Sequence, residues 1–304
     1  MAESCTAVGP AVYAEPRRDD AVPHDTVDEL AILSWNVHVG GGDIVGIVNA
    51  LRSGEFTSGE PVRNFVVLLQ EAFRTGAAVP STPAGVPIPR RIEAFPPGGP
   101  RQDIVQTARA LGLSAFYVPS MRNGAHEGAT GEDRGNAILS TLPLANFAAI
   151  ELPFERQRRI AAAAMVTGID TVGNPWQLRL VSAHLNATAG IKRLWVFSSG
   201  LRGRQARHLA SVLASEDVPT VIGSDLNSWA GGPSEPAFTE LLPHFPQTSI
   251  PVGQPTFRGG RMLDYMFLRV PSLWASQVRT IDNFFGSDHR PLISWIHLRK
   301  HEGT

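Results

Sequence analysis

In the stretch "GSDHRP", Asp288 and His289 stand side by side just ahead of the apolar run "PLISWIHL". In "VIGSDLNSW", Asp225 and Asn227 lie two apart, and an extended segment projects such a pair to one side. A carboxylate placed so can hold or activate a water, and an amide can donate to a phosphoryl oxygen. An Asx-rich turn is the plainer alternative. Asp264 falls inside the apolar "RMLDYMF", where an unpaired carboxylate is costly to bury. It needs a partner, and His289 is the candidate. An Asp on one imidazole nitrogen fixes the tautomer and favours the charged ring.

More polar groups follow apolar runs in the same way. In "SWNVH", Asn36 falls at the end of the first expected strand, where a turn Asn would look alike. Glu71 follows four apolar residues in "VVLLQEAF" and suits either a metal ligand or a helix-start carboxylate. His184 and Asn186 close "VSAHLNA", against the alternative of a structural histidine. Arg134, just before "GNAILS", and Arg159, in "ERQRRIAAAA" beside Arg158, are candidates for holding phosphate, with a solvated surface as the other reading. Polar groups at strand ends are what an active-site rim of loops and strand termini produces. The set contains hard oxygen donors, two histidines and no thiolate, which suits Mg²⁺ or Mn²⁺ more than a structural zinc.

The elements that must position these groups are short. "LAILSWNV", "NFVVLLQE", "GNAILST", "AAAAMVTGID", "WQLRLVSAHLN", "PTVIGSDLN", "RMLDYMFL" and "PLISWIHL" each have strand length and β-rich composition. "DIVGIVNALRSG" and "DIVQTARALGL" open on Asp as an N-cap and close on Gly, as helices do. "LRGRQARHLASVLAS" is amphipathic, with Leu209, Val212 and Leu213 expected on its apolar face. Residues 1–27 mix Pro, Ala, Asp and Arg without a period and read as a flexible tail; 28–300 read as one catalytic domain. The Pro/Gly-rich stretch 77–103 reads as a functional surface loop.

Composition narrows the classes. The chain has 304 residues, 43% hydrophobic, enough for one large α/β core. It has no apolar run of the roughly 20 residues a spanning helix needs. A net charge of −1 gives no global basic field for gripping nucleic acid or an anionic membrane, so an anionic substrate must be met locally. One cysteine, Cys5, rules out an internal disulfide and a cysteine-based zinc site. The N-terminus has no apolar core of a signal peptide, and the compartment stays open.

In order, "SWNV", "LLQEAF", "RGNAILS", "SAHLNA", "IGSDLNSW", "RMLDYMFL" and "SDHRPL" resemble the endonuclease/exonuclease/phosphatase superfamily over residues 31–298. That superfamily includes deoxyribonuclease-I-like enzymes, apurinic-site endonucleases, inositol-polyphosphate phosphatases and bacterial sphingomyelinases. The resemblance implies an α/β (α+β) fold: a four-layer sandwich of two mostly antiparallel sheets, face to face, with helices outside. It implies that Asn36, Glu71 and Asp288 surround a divalent metal. Asp225 would orient or deprotonate the attacking water, Asn227 would contact phosphate, and His289, held by Asp264, would stabilise its developing charge. His184 takes the place of a second histidine that helps protonate the leaving oxygen, which the apurinic-endonuclease branch lacks. Arg134, Arg159 and Asn186 are then the candidates for binding substrate. Trp195, Phe197 and Trp229 could stack on a base or a lipid head group, or pack locally.

The expected activity is Mg²⁺- or Mn²⁺-dependent hydrolysis of a phosphate ester, foremost a diester, by a monomer. The alternatives are a DNA or RNA endonuclease, a sphingomyelinase- or inositol-phosphate-phosphatase-like enzyme, and a non-catalytic binding protein on the same scaffold.

Overall fold

The computed structural model describes residues 8–15, 26–80, 100–123, 131–155, 157–187, 194–229 and 232–298. Most of the Pro/Gly-rich stretch lies outside these, as do Cys5 and the side chains of Trp195 and Phe197. Twelve strands among the described residues form two sheets. They are β1 (Val12–Ala14), β2 (Glu29–Asn36), β3 (Phe65–Thr75), β4 (Ser114–Arg122), β5 (Glu132–Ser140) and β6 (Ala145–Glu151). The rest are β7 (Ile160–Ile169), β8 (Pro175–His184), β9 (Thr220–Asp225), β10 (Asp264–Arg269), β11 (Arg279–Thr280) and β12 (Leu292–His297). The larger sheet runs β1-β4-β5-β3-β2-β12-β11 and the smaller β10-β9-β8-β7-β6. Only β2/β3 and β8/β9 pair parallel, so both sheets are mostly antiparallel, as expected.

Strands buried on both faces read as near-continuous apolar runs, and period two decides which side chain goes where. In β2, Leu30 and Ile32 face the opposing sheet, while Ala31, Leu33 and Trp35 face outward. The outward set of the larger sheet packs on α1 (Ile44–Ser53) and α2 (Ile104–Ala110). Both helices start on the expected Asp caps: Asp43 accepts from the Gly46 N–H, and Asp103 from those of Val105 and Gln106. The smaller sheet is covered by α3 (Leu194–Ala214) and α4 (Pro236–Leu241). The buried face of α3 carries Ala206, Leu209, Ala210 and Leu213; Val212 is exposed, against expectation. No helix of the described residues is long and apolar enough to cross a membrane.

The facing surfaces change character along the strands. The apolar layer of Ile32, Val66, Leu68, Leu180, Val221 and Met266 gives way to Ser34, Gln70, Ser182 and Gly223. Gln70 Nε2 lies 3.2 Å from both the Ser182 hydroxyl and the Gly223 carbonyl and donates to them, so one amide ties the two sheets together. A Cβ at Gly223 would lie 2.5 Å from the Ser34 hydroxyl, which is why the strand carries glycine at this crossing.

The tail reading of residues 1–27 is corrected at Val12–Ala14, which pairs with β4 as an edge strand. Its anchor is the buried ion pair of Arg74 and Asp133. Asp133 accepts from Arg74 Nε (3.0 Å), from the Tyr117 hydroxyl (2.8 Å) and from the Gly9 N–H (2.9 Å), while Arg74 donates to the Pro10 carbonyl. Three residues are too few to show a period, and the anchoring charges lie far away in sequence. Replacing Asp133 with Ala leaves the buried Arg74 charge without its partner, a loss on the order of 3–5 kcal/mol. The expected result is a urea midpoint lowered accordingly, with early protease cleavage within residues 8–15; an unchanged midpoint would rule out this anchor.

Candidate active site

The same alternation that builds the core delivers polar groups to one end of the sandwich. Along β8 the inward series is Leu178, Leu180, Ser182, His184; along β9 it is Val221, Gly223, Asp225; along β10, read backwards, Leu268, Met266, Asp264. Register places His184 and Asp264 as the strand partners of Asp225 on either side. Asn36 ends β2 on the facing sheet.

Asp225, 1% exposed, is the centre. Its Oδ2 accepts from Asn36 Nδ2 (2.9 Å) and its Oδ1 from the Asn227 backbone N–H (2.8 Å). Burial, then the neighbouring Asp264 carboxylate, pushes its pKa up to about 7, against the opposing pull of His289 and these donors. Asn227 lies beyond the strand at φ 51, so it reaches the site through a left-handed turn and not by strand alternation. His289 bonds Asp264 through Nδ1 (2.8 Å), and its Nε2 lies 3.9 Å from Asp225 Oδ2. Burial alone would lower the His289 pKa; Asp264 and then Asp225 outweigh it and hold the ring up at about 10. The loop carrying it is docked by Trp35, which donates to the His289 carbonyl, and by Ser287, which donates to the Asn36 carbonyl. The expected Asp264–His289 pair is present.

Glu71 sits one step along the rim, where β3 bulges between Leu69 and Ala72. It takes φ 54, a backbone state rare for a side chain of this kind, and one that active sites tolerate. The bulge turns it into a cleft lined by Arg134, Asn136, Arg159 and His184. Among the described residues Glu71 makes no hydrogen bond; its nearest partner is His184 Nδ1 at 3.9 Å. Arg134 and Arg159 are 8% and 4% exposed, so the solvated-surface reading fails for both. Arg158 instead pairs with Glu151.

His184 meets Arg159 Nη1 at Nδ1 (3.1 Å) and Asn227 Nδ2 at Nε2 (2.9 Å). Burial, then Arg159 and Arg134, drives its pKa well below the ordinary value, so the ring is neutral. Asn186 is not among the residues lining the cleft; its backbone N–H donates to Gln205 Oε1.

Of the expected metal oxygens, Asn36 lies on Asp225, Glu71 faces the cleft, and Asp288 accepts from His38 Nδ1 (3.1 Å). Among the described residues, the carboxylate and imidazole atoms that converge within 4.8 Å are those of Asp225, Asp264 and His289. Within that trio, His289 Nδ1 is engaged by Asp264, and Asp225 accepts from Asn36 and the Asn227 N–H. His38, Gln70 and Asn136 escaped sequence reasoning. Asn136 could have been found, since it lies two residues after Arg134 on the same strand.

The family model for the endonuclease/exonuclease/phosphatase family matches residues 33–289. The chain belongs to this family. Solved structures agree on the fold of this family member. An endonuclease/exonuclease/phosphatase from Beutenbergia cavernae is 19% identical, with TM-score 0.60, over 90% of this chain and 72% of that one. The human Nocturnin catalytic domain, with bound sulfate, is 16% identical with TM-score 0.51, over 94% and 96%. Beta toxin from Staphylococcus aureus, with bound magnesium, is 13% identical with TM-score 0.52, over 89% and 100%. No curated protein matches the chain significantly in sequence.

A raised histidine pKa makes a testable electrostatic statement about this family member. The ion pair contributes stability fully below about pH 6.5 and loses it as pH rises through about 10. In the protein stripped of divalent ions, His289 should keep its imidazolium NMR signature past pH 8, and Asp264→Asn should bring its titration down. A wild-type midpoint near the free-histidine value would rule out the pairing.

Proposed function

We propose that the protein hydrolyses phosphodiesters, using water as nucleophile and a divalent cation, Mg²⁺ or Mn²⁺. The observation that carries this reading is Asp225, held by two amide donors and standing beside a charged imidazole. Asp225, with its pKa near 7, accepts a proton from the attacking water. The water oxygen bonds to phosphorus as the bond to the leaving oxygen breaks. His289 Nε2–H and the Asn227 amide donate to the phosphoryl oxygens, where charge builds up. The leaving oxygen would depart on the face opposite Asp225, its charge met by the Arg134 guanidinium, and take its proton from solvent.

The donors fit a hard cation. Glu71 is a carboxylate turned into the cleft whose side chain makes no hydrogen bond among the described residues, and the Asn36 amide oxygen and the Asp288 carboxylate are oxygen donors. These three residues would hold the ion, which would supply Lewis acidity at a phosphoryl oxygen. The magnesium in beta toxin and the sulfate in Nocturnin, proteins similar to this one in fold, support the reading.

Hydrolysis of bis-p-nitrophenyl phosphate should require Mg²⁺ or Mn²⁺ and stop with EDTA. Asp225→Ala should lower kcat by about 10²–10⁴-fold, as loss of a general base does. His289→Ala should lower it by about 10²–10³-fold, as loss of a donor to a developing oxyanion does. Full activity in both variants would overturn the assignment. A panel of plasmid, abasic duplex, sphingomyelin and inositol phosphates then identifies the leaving group.

A further inference from the structure

His184 stands between two hydrogen-bond donors. Arg159 Nη1 lies 3.1 Å from its Nδ1, and Asn227 Nδ2 lies 2.9 Å from its Nε2. A neutral imidazole carries one N–H and one lone pair on its ring nitrogens, so only one of these contacts is a hydrogen bond. A guanidinium has no acceptor and keeps its charge. A proton on Nδ1 would point at that cation, with the nearest carboxylate oxygen, on Glu71, 3.9 Å away. With the lone pair on Nδ1, the Arg159 contact is charge-assisted and Nε2–H faces Asp225 Oδ2 at 3.4 Å. The second arrangement wins.

Neither neighbour can give way easily. Arg159 is buried, its Nη2 is engaged by Gln157 Oε1 (2.9 Å), and Arg134 lines the same cleft. Turning the Asn227 amide over would set its oxygen against the Leu185 carbonyl, to which Nδ2 donates at 3.2 Å. We propose that Arg159 is a positioning residue: it fixes His184 as the Nε2–H tautomer, so that His184 and Asn227 present two converging N–H groups to one phosphoryl oxygen. Without substrate, Asp225 Oδ2 faces the Nε2–H at 3.4 Å and the Leu185 carbonyl takes an amide hydrogen of Asn227. An anionic oxygen approaching the 2.9 Å gap between the two nitrogens gains a donor from each in a site of low dielectric. The identity of this acceptor rests on the phosphodiesterase reading; the tautomer does not.

Long-range ¹H–¹⁵N correlation on the full chain labelled with ¹⁵N-histidine reads the tautomer directly, without substrate, at neutral pH. His184, identified by comparison with His184→Gln, should show a protonated Nε2 and a bare Nδ1. Arg159→Met should move the proton toward Nδ1 and lower kcat by about 10²-fold, the scale of one lost oxyanion donor, with little change in KM. Arg159→Lys, which keeps a cationic donor, should retain the tautomer and most of the activity. A wild-type ring protonated on Nδ1 would overturn the proposal. So would an Arg159→Met enzyme that loses activity with the Nε2–H tautomer intact, since Arg159 would then touch substrate itself. Should Arg159→Met fail to fold, the wild-type spectrum and Arg159→Lys still decide. A protein with the Nε2–H tautomer that cleaves no phosphate ester would defeat the phosphodiesterase reading and support the Arg159 placement.

Discussion

Two carboxylates, Asp225 and Asp264, are buried at 1% exposure on adjacent strands, and water does not screen them. The group that offsets their shared negative charge is His289, with Nδ1 2.8 Å from Asp264 and Nε2 3.9 Å from Asp225. Its need to reach both oxygens explains why the loop before β12 is tied down so tightly, by Trp35 at one carbonyl and by Ser287 to the Asn36 carbonyl. Asn36 in turn holds Asp225, so one electrostatic requirement orders residues from four separated stretches of chain.

The sandwich meets this requirement because its facing surfaces are graded. A fully apolar interlayer would leave the carboxylates beside hydrocarbon, and a fully polar one would not hold the sheets together. Gln70, Ser34, Ser182 and Gly223 form the intermediate layer: small or amide side chains that let the sheets approach while satisfying each other's donors. The layer acts as a floor under the site, limiting where the rim residues above it can move.

The central strands were legible because double burial writes them as apolar runs, and Asp264 and His184 stood out as polar groups within or at the end of such runs. The strands that escaped were those without such a pattern. β6 has almost every residue exposed, β4 is interrupted by Pro119, and β1 has three residues held by a distant ion pair. Glu71 was legible as a chemical group, but the bulge that aims it was not, since an inserted residue has no compositional mark. Arg158 and Arg159 were indistinguishable in sequence. One residue of offset sends the first to Glu151 and the second into the cleft.

That offset bears on how one residue type takes two roles in one site. His289 faces carboxylates from β9 and β10, and His184 faces guanidiniums delivered by β5 and the start of β7. Position relative to fixed charges, more than any property of imidazole, makes one ring a cation and the other a neutral donor. The charges around the two rings are therefore unevenly placed, with carboxylates of β9 and β10 at His289 and guanidiniums from β5 and from just before β7 at His184. On the phosphodiesterase reading proposed above, a phosphate ester bound here would meet the carboxylate that activates water on one side and fixed positive charge on the other. An in-line displacement needs that asymmetry, because nucleophile and developing charge lie on different sides of phosphorus.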